Sequence, residues 1–252
     1  MIERALLNAD GEVLLGLYRF DGSNALFTKS ESLPDVTPVG QVEEVPGTGL
    51  RIYTGPELLR AGTLTLTLGT HGRTHSDLTA LHDTVLRAAI QTAGYQRING
   101  VLPIAHFSKI TRVYQGSAQL GGQIDVTFEA AGPYFLGPEK TETVLNGSPT
   151  LLYNNGAGRA ALRVEITAGA SAVVNPSILT SAGLTTWVGT VPAGQTLTLD
   201  GAVGVWSVTL GEVDVSLSLT GPQPYLDEGE CTVTLTAAGA SALLAWQEGG
   251  LT

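Results

Sequence analysis

The chain has 252 residues, 43% of them hydrophobic and only 14% charged, which fits one large domain or two of ordinary size and excludes a disordered chain. Its single cysteine, Cys231, excludes an intrachain disulfide and a cysteine-rich zinc site. The net charge of −10 divides as −3 over residues 1–132 and −7 over 133–252, with no Lys/Arg cluster. That excludes a binder that works by neutralising phosphates, but not a protein that lets DNA pass without holding it. Glycine fills 32 positions with no Gly-X-Y period, so many turns between short strands are expected. The opening Met1-Ile2-Glu3-Arg4-Ala5 lacks the basic start and apolar stretch of a signal peptide, and no uncharged apolar run approaches the ~18 residues that span a bilayer. A soluble product made in a cytoplasm is expected.

Val13–Tyr18 reads as the first strand, between the turns Asp10-Gly11 and Asp21-Gly22. Residues 29–49 are polar and carry Pro34, Pro38 and Pro46, which predicts a long loop or an arm ordered by a neighbour. Thr63-Leu64-Thr65-Leu66-Thr67-Leu68 alternates strictly, so it predicts a strand with leucines on one face and threonines on the other. A helix follows, with Ser76 as its cap, Asp77 at the positive end of the dipole and Gly94 closing it. Leu78, Leu81, Val85, Ala89 and Ile90 form its apolar stripe, which must lie across a sheet because the helix has no helical partner. Strands are expected again at Ile98–Ile104, Ile110–Tyr114 and Gln123–Ala130.

Ala131-Gly132-Pro133-Tyr134-Phe135 breaks the pattern and marks a domain junction. Beyond it nothing helical is expected. Strands are predicted at Leu162–Ile166, Thr196–Leu199, Val205–Leu210, Val213–Leu219, Cys231–Thr236 and Ala242–Trp246. Strand after strand with tight glycine turns is the pattern of a β-sandwich or jelly roll.

The candidates for chemistry are sparse. His71, His75 and His82 would share one helix face, but Gly69 and Gly72 place the first two in a loop and leave His82 on a solvated helix face. His106 sits in an apolar strand and is expected to be packed. Ser108, Ser117 and Ser207 lack a neighbouring His or acid at motif spacing, and Cys231 reads as one more strand residue. Glu43-Glu44, Asp200-Gly201 and Asp227–Glu230 read as acidic turns, the last without the alternate oxygens of an EF-hand loop. Asn154–Arg159 lacks the Walker lysine and a following helix, so it reads as a turn between strands. Trp187, Trp206, Trp246 and Tyr225 are the residues that would build a sugar-stacking platform. Alternation around Val205-Trp206-Ser207-Val208 turns Trp206 inward and leaves Trp187 as the surface tryptophan. No catalytic, cofactor-binding or metal-binding residue is assigned.

After a domain of strands with one helix, Val126-Thr127-Phe128-Glu129-Ala130-Ala131-Gly132-Pro133-Tyr134-Phe135 resembles the distal tail protein (Dit) family of siphophages. In that family the first domain commonly closes with an apolar strand, an acidic or small residue, then Pro-Tyr-Phe; Gly132 stands where aspartate is common. Further resemblances follow in order: Asn155-Gly156 leading to Ala161–Ile166, the hairpin Gly194–Leu199 with Asp200-Gly201, the turn Leu226–Glu230 before Cys231-Thr232-Val233, and Ala245-Trp246. Gln247-Glu248-Gly249-Gly250 departs from the family in lacking its aromatic and basic residues.

The resemblance implies a mainly β protein: a ring-forming, β-rich N-terminal belt domain with one α-helix over residues 1–132, and a galectin-like β-sandwich over 133–252. It implies a structural role without catalysis or cofactor, at the distal end of the phage tail in the virion. The ring, a homohexamer, would join the tail tube protein to the tail-tip hub protein and carry receptor-binding proteins. DNA would pass through its lumen without specific binding, and no membrane is involved. An acidic, lysine-poor chain suits a conduit in which DNA slides. The alternative is a carbohydrate-binding or adhesion module of a tail or cell surface.

Overall fold

A computed structural model of the chain describes residues 4–19, 25–35, 37–38, 41–44, 51–54, 59–60, 62–72, 74–98, 100–114, 121–201 and 206–250. The turn expected at Asp21-Gly22, Ser117, Val205, residues 36, 39–40 and 45–49 of the expected arm, and the side chains of Glu43 and Glu44 lie outside the described residues. Among the described residues the fold is mainly β, with one α-helix. No helix among the described residues is long and apolar enough to cross a membrane. The chain divides into two compact units, Met1–Phe135 and Leu136–Thr252.

In the first unit an antiparallel sheet runs in the order Leu26–Ser32, Thr63–His71, Gly121–Ala130, Gly100–Tyr114. Strict alternation has the effect expected of it: Leu64, Leu66 and Leu68 are fully buried and stand opposite Phe128, Val126 and Ile124. Each such leucine contributes roughly 1.5–3 kcal/mol. A second antiparallel set joins Val13–Leu17, Arg4–Leu7, Gly94–Arg97 and residues 100–103. One continuous strand, Gly100–Tyr114, therefore replaces the two expected at Ile98–Ile104 and Ile110–Tyr114. It changes partner after Pro103, and bulges at Ile104/His106 and Phe107/Lys109 absorb the break in its alternation.

The helix His75–Gln91 starts earlier than expected. Its cap is Thr74, not Ser76, because only Thr74 stands three residues before Asp77. Asp77 N donates to Thr74 Oγ1 at 3.2 Å and Thr74 N donates to Asp77 Oδ2 at 2.8 Å, a complete capping box. Thr92, not Gly94, ends the helix, in extended conformation with its hydroxyl on Ala88 O. Gly94 opens the next strand, where a Cβ would stand 2.8 Å from Val101 Cγ1. The buried stripe is Leu78, His82, Val85, Ala88 and Ala89. At about 100° per residue, Leu81 falls to its margin and is half-buried, while Ile90 turns out to solvent at 63% exposure.

Residues 29–49 are not the long loop expected. Residues 29–32 finish the strand Leu26–Ser32, Thr37–Pro38 pairs with Leu59–Arg60, and Gln41–Glu44 pairs with Arg51–Thr54. The described part of the segment is thus the outgoing half of a β-hairpin, and Glu43-Glu44 lie in a strand rather than a turn. Proline is tolerated there because each pair is only two strands wide, so every strand is an edge.

The second unit is a β-sandwich. One sheet orders Phe135–Leu145, Ala240–Gly250, Ala160–Ala168, Thr196–Asp200, Ser207–Leu210 and Val213–Asp214. The other orders Thr150–Asn154, Gly229–Thr236, Ser177–Thr180, Gly183–Trp187 and Leu219–Thr220. Leu162, Val164 and Ile166 from the first, and Cys231, Val233 and Leu235 from the second, alternate into the core. The strand expected at Val213–Leu219 is broken by a 3-10 turn, Ser216–Ser218, which also corrects the expectation of nothing helical here. Asp214 Oδ1 accepts from Ser216 N at 2.8 Å and from Ser216 Oγ at 2.6 Å, an aspartate turn that ends the strand.

Candidate assembly surface

The sequence candidates for chemistry do not converge. Among the described residues no three His, Cys, Asp or Glu come together as a metal site. His71 ends a strand and His75 opens the helix rather than lying in the loop; both are exposed. His106 is exposed rather than packed, because it follows the bulge where alternation resets. His82 is buried rather than solvated, since it stands between Leu78 and Val85 on the apolar stripe. Ser108 is exposed, Ser207 half-buried, and Cys231 a buried strand residue as expected.

Asn154–Arg159 is a turn that staples itself. Buried Asn154 donates through Nδ2 to the carbonyls of Gly158, Leu226 and Asp227, and its Oδ1 accepts from Gly156 N. Arg159 lies 4.5 Å over the Tyr225 ring and binds Asp227 at 3.0 Å, so Tyr225 is already covered. The tryptophans reverse their expected places. Trp187 is 5% exposed, with Nε1 donating to Val215 O at 3.4 Å, while Trp206 is 38% exposed. Trp206 precedes the first residue of its strand, Ser207, so strand alternation does not govern it.

Two features of the first unit are candidate assembly surfaces. The first is the outward face of the sheet that carries the buried leucines. Thr63, Thr65 and Thr67 lie there beside Gln123, Asp125 and Thr127. The Thr65 and Thr127 hydroxyls are 3.3 Å apart, Gln123 Nε2 donates to Asp125, and Lys29 Nζ reaches Gln123 Oε1 at 3.4 Å. This is a hydroxyl-rich face whose polar side chains bond one another. The second is the hairpin of Gln41–Glu44 and Arg51–Thr54, whose described strands pair only with one another. A lone two-stranded ribbon is marginal in water and gains from a neighbour.

The strand leading to that hairpin is anchored. Glu31, on Leu26–Ser32, accepts from Arg4 Nε at 3.0 Å, Arg4 Nη2 at 3.1 Å and Tyr95 Oη at 2.5 Å, with Arg97 Nη2 at 3.4 Å. Burial works against the charged carboxylate, but these bonds and the two guanidinium charges outweigh it and hold its pKa below the usual value. Burial and the Glu31 charge together push the Tyr95 phenol well above its usual range. No sequence signal marked Glu31, because its partners lie 27, 64 and 66 positions away.

No family model matches the chain, and no curated protein matches it. Among solved structures it is similar to SPP1 Dit (gp 19.1), described as a paradigm of hub adsorption apparatus in Gram-positive-infecting phages. The likeness has TM-score 0.69 at 14% identity and covers 98% of both chains. The fold is that of SPP1 Dit. Chains of the phage P2 baseplate in its activated conformation, with calcium and with strontium, are also similar, at TM-score 0.51 with 94% of each chain covered and 8% and 9% identity. The Dit likeness spans both units, so the hairpin-bearing first unit and the sandwich belong to one shared architecture.

Proposed function

We propose that the chain is a structural protein of a phage tail tip, forming a ring that joins the tail tube to the tail-tip hub and offers a platform for host-adsorption components. The observation that carries this reading is the likeness to SPP1 Dit across 98% of both chains. The hairpin supports it: a ribbon that among the described residues pairs only with itself suits a head-to-tail contact, in which one patch of each copy meets a different patch of the next. The acidic chain and the hydroxyl-rich sheet face suit a lumen through which DNA slides. The role is structural rather than catalytic, and the ring is six-fold, with its place at the distal end of the tail in the virion.

The test compares the full chain with a variant in which residues 41–54 are replaced by a short Gly-Ser turn. Light scattering at tens of micromolar should give a ring mass for the first and a monomer for the second. Equal masses for the two would remove the hairpin from the contact, and monomers throughout would count against self-assembly.

A further inference from the structure

His82 is a buried polar group that no role described above uses. Its residue exposure is 2%, and neither ring nitrogen has a hydrogen-bond partner among the described residues. It stands on the helix stripe between Leu78 and Val85, pressed against the sheet, and lines a crevice of about 10 Å³, the room of a single water. Thr70, Leu78, Arg112, Val113, Gly122, Gln123 and Ile124 complete the lining. The charged groups acting on it are Arg112, from Gly100–Tyr114, and Asp83, from its own helix. The strands Thr63–His71 and Gly121–Ala130 contribute to this lining only the uncharged Thr70, Gly122, Gln123 and Ile124.

A neutral imidazole fits this site at the cost of its unmade hydrogen bonds. An imidazolium does not: it would place a second positive charge beside Arg112 in a crevice with room for a single water. Asp83 Oδ1 lies 3.6 Å from Nδ1, but its side chain is largely exposed and solvated, so it compensates only in part. We infer that His82 is an acid-sensitive latch, which holds the helix His75–Gln91 against its sheet while neutral and releases it on protonation. Burial first, then Arg112, lowers its pKa from the ordinary 6.5 against the opposing pull of Asp83. As pH falls below 6.5 the unfolded segment takes up a proton that the folded one resists, so the helix loosens; the effect levels off below the folded pKa.

Hydrogen exchange of the helix amides in the full chain, corrected for intrinsic pH dependence, reads this directly, whether or not copies assemble. Below pH 6.5 their opening should rise by up to about tenfold per pH unit, the slope of one proton. His82→Gln and His82→Leu should flatten that rise, and His75→Gln should leave it intact. An unchanged rise in either folded His82 variant would overturn the latch. If neither variant folds, NMR titration of the wild-type His82 ring decides. Titration below 6.5 supports the latch, and titration at or above 6.5 overturns it.

Discussion

Glu31 receives two donors of the Arg4 guanidinium, Nε at 3.0 Å and Nη2 at 3.1 Å, and so ties the edge strand Leu26–Ser32 to Arg4–Leu7 in the first unit. Both side chains are less than one-fifth exposed. Removing Arg4 takes two hydrogen bonds and a positive charge from the half-buried Glu31 carboxylate and leaves it only Tyr95 and Arg97. Arg4→Ala should therefore destabilise the first unit by about 2–3 kcal/mol, measured by chemical denaturation at neutral pH.

The same carboxylate gives an acid signature. Its folded pKa lies below the ordinary 4.5, so its stabilisation is fully present above that value and is lost as pH falls through the folded pKa. Denaturation midpoints measured from pH 6 to pH 2.5 should drop for the wild-type chain below about 4.5. Glu31→Gln should start lower at pH 6 and show a shallower drop. Parallel curves would mean that other carboxylates carry the acid loss.

At the helix, Thr74→Ala removes a cap whose hydroxyl accepts from Asp77 N, and should cost about 1 kcal/mol. Ser76→Ala should cost a few tenths at most, because Ser76 is exposed within the first turn. Equal costs would contradict the capping assignment.

Val85→Asp places an unpaired carboxylate where the native side chain has 0% exposure and should cost about 3–5 kcal/mol or abolish folding of the unit. Leu81→Asp, at the half-buried margin, should cost distinctly less. Thermal melting of the two variants side by side separates them.

In the sandwich, Trp187→Ala should cost about 3–5 kcal/mol, as expected of a buried aromatic with a bonded indole, and Trp206→Ala should leave the melting temperature nearly unchanged. An adaptor role predicts no signal from the full chain on a glycan array. Sugar binding that Trp206→Ala abolishes would favour the adhesion alternative.

Local periodicity made some of this legible and left the rest hidden. Thr63–Leu68 could be read residue by residue because its alternation is unbroken and a strand pairs with it on either side. The helix was visible, but two cap-type residues, Thr74 and Ser76, stand close together, and spacing to Asp77 decides between them. His82 was misplaced although its signal was available: it is four residues after Leu78 and three before Val85, both buried. The hairpin was hidden because Gln41–Glu44 becomes a strand only by pairing with Arg51–Thr54, ten or so residues on. Arg4–Leu7 and Thr150–Asn154 are short and carry polar residues among their apolar ones, so their strand character comes from their partners. The exchange of Trp187 and Trp206 turned on where one strand ends and another begins, which alternation alone does not mark.

Electron microscopy of the purified full-length chain, and of intact particles decorated with an antibody against it, tests the central claim most directly. The account predicts closed six-fold rings of the 26.1 kDa chain and label at the distal end of the tail. Only single copies in solution, together with label elsewhere on the particle or none at all, would contradict it.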